Sequence, residues 1–487
     1  MELCGADFLM GGAAQWRLFL IQSESLRTLW LPLSVIWVRV QVEISTSQSK
    51  VGWFTRLFAK IGLDLRLFYI AVPRVKGDLI GEPAHLAAAI FAIVCEAIST
   101  ASASVGINIL LLATLLRAPA LVPSWKQMLS QTWFKLLLLW IAWMAISIAW
   151  SPDVPKGFDR FGHLKFFIWI PMLWPLYKQW RWLFAGFLLS AFVLQCIQVA
   201  GAIGATHQMV AIQTGMRHPT MVGLWNAISL SCWLFLAVSA GWQAMLLCIP
   251  LAVLSAVGFV WAGQRAALLG LLLEIVVANF VLAVAVQGWM RRTCLRVVLG
   301  LIVITGVYFF IGDKLTGRFI KLYNETAQTF EASGGGKDAP GLSVALEDRL
   351  AMWKMSLIAW RQQPLIGVGY GGYQIATAPI EDIVYPGKDI HLFETPHSTY
   401  IMILTENGVV GLSLFLCYIA AFFVRAFRII QVEPIRIGVF GGAVIWFAAA
   451  ATDTYHMRGV FLSIGVIMMA LATMPVVKIK DAVDSSL

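Results

Sequence analysis

Pro396-His397-Ser398-Thr399 is the string in this 487-residue chain best suited to moving a proton. Histidine is the side chain whose charge changes near neutral pH, and it is the commonest general base. Here it stands where a long extramembrane stretch runs into an apolar span. A glycine-rich string, Q-P-L-I-G-V-G-Y-G-G-Y at 363–373, precedes it. A second set of residues has the chemistry of an anion grip. Arg217 and His218 lie in T-G-M-R-H-P-T, Arg265 in W-A-G-Q-R-A-A, and Arg160 in S-P-D-V-P-K-G-F-D-R-F-G. Arg349 stands at the head of an amphipathic loop segment, and Asp453, His456 and Arg458 fill A-T-D-T-Y-H-M-R. Two guanidinium groups at helix ends can hold a diphosphate bidentately, which lysine does less well. Each charged hydrogen bond of that kind contributes about 1.5–3 kcal/mol.

The elements that must position these groups are membrane helices. The chain is 59% hydrophobic and 13% charged, with a mean hydropathy of +0.79. Soluble chains carry about 25% charged residues, so soluble-enzyme readings are excluded. The expected fold is an all-α polytopic membrane protein. Its apolar spans fall near 85–99, 103–117, 132–150, 162–177, 182–203, 220–240, 243–262, 266–287, 296–312, 398–424, 436–452 and 457–475, which makes about twelve helices. The first two are short and read as a tight or partly re-entrant pair. Tryptophans at run ends read as interfacial anchors, and so do Tyr370 and Tyr373. Residues 1–83 read as a basic cytoplasmic or membrane-surface extension of unassigned function, 84–475 as the membrane domain, and 476–487 as a cytoplasmic tail.

Charge orients the spans. Twelve basic residues, among them Arg117, Lys178, Arg291, Arg428 and Arg436, fall on one side, and six fall in the short loops of the other. The first side is therefore cytoplasmic and holds both termini. Loop 313–397 is then periplasmic, with a turn-rich middle (E-A-S-G-G-G-K-D-A-P-G) and an amphipathic helix over 346–360. The net charge of +10 reflects topology and anionic lipid rather than nucleic acid. The seven cysteines show no metal or disulfide spacing and read as small buried hydrophobes.

Each residue also has a plainer reading. Arg160 and Arg458, taken singly, are snorkelling anchors. His218 and His456 are structural histidines, and Asp453 is the ion-pair partner of Arg458 or another arginine. Glu406, inside a span, hydrogen-bonds within the bundle or orients the His397 segment, with a proton relay as the alternative. Arg217 and Arg265 fit the anchor reading less well, because both lie on the side that the positive charges avoid. The sequence has no D-x-D, Walker A, H-E-x-x-H or G-x-S-x-G string. That leaves a metal-free site without a cofactor, built from arginines and a histidine, as the simplest enzyme. A transporter of anionic lipid is the rival from another class. Against it, neither an inverted repeat nor a pair of broken helices is legible. A non-catalytic scaffold would not explain the one-sided arginine and histidine cluster.

With R-L-A-M-W at 349–353, the glycine-rich string at 363–373 and P-H-S-T-Y-I-M-I-L-T-E-N-G-V-V-G-L at 396–412, the chain resembles the O-antigen ligase/polymerase superfamily of bacterial membrane glycosyltransferases. Gln264 departs from the serine common before the family's second arginine. The resemblance covers about residues 84–475 and implies a GT-C-like fold. It implies metal-independent, inverting transfer of glycan from undecaprenyl diphosphate at the periplasmic face of the inner membrane. The acceptor it implies is lipid A–core for a ligase, a second lipid-linked glycan for a repeat-unit polymerase, or a protein for an O-oligosaccharyltransferase. It places Arg217 and Arg265 on the donor diphosphate and His397 at the acceptor, with Asp453 a weaker carry-over.

Overall fold

Long apolar strings with few charges leave the backbone one way to satisfy its own polar groups inside a bilayer, which is to form helices. The computed structural model describes residues 78–204, 219–239, 242–262, 264–286, 298–300, 302, 342–384, 394–457 and 459–476. Among them the ordered elements are all helical and no strand occurs. In chain order the α-helices are α1 (Gly81–Ile98), α2 (Thr100–Leu116), α3 (Ala118–Ser130), α4 (Thr132–Ser147), α5 (Val154–Phe161), α6 (Trp169–Leu173), α7 (Trp180–Gly204), α8 (Pro219–Ser239), α9 (Trp242–Ala262), α10 (Arg265–Ala285), α11 (Leu342–Gln362), α12 (Tyr373–Val384), α13 (Thr399–Val432), α14 (Ile437–Ala449) and α15 (Gly459–Thr473).

Among the described residues, six helical stretches are long and apolar enough to cross a membrane, and a seventh counts if α2 and α3 form one span bent by 99°. The chain is thus a multi-pass membrane protein. The sequence reading of twelve spans exceeds this number for physical reasons. The helices at 244–260, 434–449 and 461–473 are apolar but shorter than the ~20 residues that cross unaided. The expected spans at 162–177 and 182–203 belong to one helical run, 154–200, in which short 3₁₀ pieces at Gly162–Ile168 and Trp174–Gln179 break the α-helix. Most of the run at 296–312, and residues 1–77, lie outside the described residues.

Aromatic packing joins the helices. Trp140 of α4 meets Phe415 of α13 at 4.8 Å between ring centroids. Trp133, Trp140, Trp169, Trp174, Trp225 and Trp446 are all fully buried, so these tryptophans are core residues rather than the interfacial anchors that their positions suggested. Arg436, read as a loop cation, is also buried. It donates to the carbonyls of Leu471, Met474 and Pro475 and pairs with Glu433, so it caps the C-terminal end of α15. Cys95, Cys232 and Cys248 are buried as expected, whereas Cys196 and Cys417 are exposed.

The element that shapes the site is α13, which breaks at Gly408 (φ +68°, ψ −170°). A break inside an apolar core leaves backbone groups that something must satisfy. The glycine-rich loop does this. Val368 N donates to Thr405 O at 3.0 Å and Gly369 N to Glu406 O at 2.8 Å. In return Val409 N donates to Pro364 O at 2.9 Å and Val410 N to Leu365 O at 3.1 Å. Trp143 of α4 takes the remaining Asn407 carbonyl through its indole N–H, at 3.1 Å. The loop can lie this close because Gly367, at φ +70°, has no Cβ to strike the Glu406 backbone, and Gly408 has none to strike Leu365. Gly408→Ala is therefore expected to cost at least ~1–3 kcal/mol from the positive φ, before the collision is counted. A lowered melting temperature of the detergent-purified variant would show it, and an unchanged one would contradict the account of the break.

Candidate functional site

His397 stands in the turn that leads into α13, with its backbone in the left-handed region at φ +48°. A non-glycine residue holds that conformation only where its surroundings impose it. They do so from both sides. Upstream, Trp353 of α11 donates its indole N–H to Pro396 O at 2.9 Å. Downstream, Ser398 caps α13 by accepting from Ile401 N. Thr399 then ties the turn to residues 450–456. Its N–H is shared between Ala450 O and Asp453 O, and its hydroxyl donates to Asp453 O at 3.0 Å. The same hydroxyl accepts from Tyr455 N at 3.0 Å. This lacing sets the Asp453 carboxylate 3.5 Å from Nδ1 of His397. His397 is partly exposed and Asp453 largely enclosed. A carboxylate on Nδ1 fixes the ring's orientation and stabilises the imidazolium that forms when the ring takes a proton.

Arg160 is not the surface anchor that its position suggested. It is 4% exposed and spans the site. One nitrogen donates to Glu406 Oε1 at 2.8 Å, and the other to Glu394 O at 2.9 Å, three residues before His397. Glu406 is fully buried on α13, just before the break, and also accepts from Tyr373 N at 3.2 Å. Its contacts are thus hydrogen bonds within the bundle. Lys156 adds an exposed contact to the Glu394 carboxylate at 3.8 Å. Among the described residues, the partner seen for Asp453 is His397. Arg458 lies outside the described residues, as do Arg217 and His218. Arg265 opens α10, and its side chain is likewise outside the described residues. Arg349 is half-buried on α11, one turn before Trp353.

Tyr370 and Tyr373, read as interface aromatics, lie inside the protein at 0% and 1% exposure. Burial raises both phenols, Tyr373 to about 12, so both stay protonated. His456 is buried too, with Nδ1 3.3 Å from the Thr399 hydroxyl. Burial first, and then the charge of Arg160, push it down to about 3 from 6.5. It is therefore a neutral structural group. The unfolded chain binds a proton that the folded one refuses, so this histidine destabilises the fold as pH falls from 6.5 toward 3. The loss is up to roughly 1.4 kcal/mol per pH unit. His456→Gln is expected to flatten that part of the melting-temperature profile, and an unaltered slope would contradict it. Among the described residues, no three His, Cys, Asp or Glu side chains cluster as metal ligands would.

Fold and site together define a multi-pass helical membrane protein with a histidine–carboxylate pair at the head of a broken helix. Residues 250–416 match the O-antigen ligase family model, so this stretch is similar to O-antigen ligases. The matched stretch is about a third of the chain. It holds Arg265, Arg349, the glycine-rich loop, His397 and Glu406, and leaves Arg160 and Asp453 outside. No curated protein matches the chain. Members of this family are membrane glycosyltransferase-like enzymes that use lipid-linked glycan and a lipid acceptor.

Proposed function

We propose that the protein is a lipopolysaccharide O-antigen ligase that moves glycan from undecaprenyl diphosphate to lipid A–core. The observation that carries the reading is the His397 Nδ1–Asp453 contact at the head of α13, with His397 inside the family-matched stretch. With Nδ1 turned to the carboxylate, Nε2 is the nitrogen that would accept the acceptor's proton. The acceptor oxygen attacks the anomeric carbon from the face opposite the diphosphate. The new C–O bond forms as the bond to the diphosphate breaks, the diphosphate leaves with the electron pair, and the hydroxyl proton passes to His397. Asp453 balances the resulting imidazolium, a contribution of about 10²–10⁴-fold for base and orientation together. Arg217 and Arg265 bind the departing diphosphate, and the step needs no metal. This reading includes twelve spans, with the bent α2–α3 pair, the three shorter helices, the 296–312 run and the 154–200 run counted as two spans completing the count. It also includes cytoplasmic termini, a periplasmic site in the bacterial inner membrane, and α11 and α12 as parts of a periplasmic 313–397 loop.

Two measurements test the chemistry. Arg217→Ala and Arg265→Ala are each expected to weaken binding of the lipid diphosphate by about 10-fold or more, for the loss of charged hydrogen bonds. Unchanged affinity in both would refute the diphosphate grip. Nuclear magnetic resonance of the product is expected to show the inverted anomeric configuration, and a retained one would overturn the single displacement. A repeat-unit polymerase and a protein O-oligosaccharyltransferase remain second readings of the same site, because nothing in the His397 segment specifies the acceptor.

A further inference from the structure

An apolar groove of about 760 Å³ opens between α10, α13 and α14. That volume lies within the ~300–1,000 Å³ of sites that hold small ligands. Val277, Phe423, Phe427, Phe440 and Phe447 line its length. One end stops at Tyr400 and Ala451, close to the His397 turn, and the other at Arg428 and Gln431. Phe440 and Ala448 lie eight residues apart on α14, roughly 12 Å along the axis. The groove is thus about as deep as one leaflet of a ~30 Å hydrocarbon core.

Its charge is one-sided. Arg428 is exposed at the mouth remote from His397. Arg425 lies three residues earlier, within one helical turn. Nε of Arg425 is buried and has no hydrogen-bond partner among the described residues. Glu433, the acidic residue that ends α13, is already committed to Arg181 and Arg436. Among the described residues, Arg428 at the groove's mouth and Arg425 one turn earlier on α13, just outside its lining, have no acidic partner, and basic pockets of that kind between membrane helices recognise anionic head groups.

We propose that this groove seats an acyl chain of an anionic glycerophospholipid, with its phosphate held by Arg428 and Arg425. The site is distinct from the His397–Asp453 pair and does not depend on the reaction assigned to it. A polyprenyl diphosphate acting as donor would need its cations at the opposite end, where the groove is closed by Tyr400 and Ala451. The bound chain would brace α13 from its lower half up to Tyr400, whose hydroxyl donates to Phe447 O at 2.9 Å.

Native mass spectrometry of the full-length protein, with phosphatidylglycerol and phosphatidylcholine competing in mixed nanodiscs, tests this. Phosphatidylglycerol is expected to be favoured by on the order of 10-fold. The Arg425→Gln/Arg428→Gln double variant is expected to lose that preference while keeping its melting temperature in phosphatidylcholine. Val277→Trp, which fills the groove, is expected to reduce retention of both lipids. Equal retention of the two lipids by the wild type, or an undiminished preference in the double variant, would overturn the proposal. So would a polyprenyl phosphate displacing phosphatidylglycerol from the site.

Discussion

His397→Ala is expected to abolish glycan transfer while leaving expression, membrane insertion and donor binding intact. The substitution removes the imidazole that precedes α13 and leaves the lacing of Thr399 to Asp453, Tyr455 and Ala450 in place. It also relieves little, because alanine is no better suited than histidine to φ +48°. The loss should therefore appear in turnover rather than in stability. General-base help alone is typically ~10²–10⁴-fold, and loss of that size takes transfer below the detection limit of most gel assays. Asp453→Asn keeps the shape but removes the charge that stabilises the imidazolium. It is expected to lower turnover by a smaller factor, with donor affinity unchanged. Wild-type-like rates in His397→Ala would sink the assignment. A fall in His397→Ala that tracks misfolding would show that the residue acts through structure.

The second large effect concerns Arg160 and Glu406. Both side chains are at or below 5% exposure and lie 2.8 Å apart. Removing one partner strands a charge in a low-dielectric interior, at a cost of about 3–5 kcal/mol. Arg160→Ala and Glu406→Ala are each expected to lower the melting temperature strongly and reduce the monodisperse yield. The site should suffer as well, because Arg160 also holds Glu394 O near the His397 turn. Replacing both with Met and Leu removes both charges at once, and is expected to recover much of the stability but not the activity. A double variant no more stable than either single one would contradict the pairing as the source of the effect.

How much of this was legible in the chain depended on the range of each interaction. Hydropathy is local, so most helices were readable, as was the helix over 346–360, which forms part of α11. Pro396-His397-Ser398 is also local, with the capping serine beside the histidine. The break at Gly408 was not readable, because Asn407-Gly408-Val409 sits inside an apolar string and its backbone partners lie about 40 residues upstream in the 364–369 loop. The partner of Arg160 is 246 residues away, and no spacing rule reaches that far. Arg436 misled for the same reason. Its position between two spans reads as a loop cation, and only the fold brings the last turn of α15 onto it. Tyr370 looked like an interface aromatic until the glycines around it let the loop enter the bundle.

The central claim is that the chain joins a lipid-linked glycan to lipid A–core. Purified protein incubated with undecaprenyl-diphosphate glycan and rough lipopolysaccharide, followed by mass spectrometry of the lipid products, tests it most directly. Glycan attached to lipid A–core, formed by the wild type and not by His397→Ala, is the result expected. Longer lipid-linked glycan with unmodified lipid A–core, or donor movement without a new glycosidic bond, would contradict it.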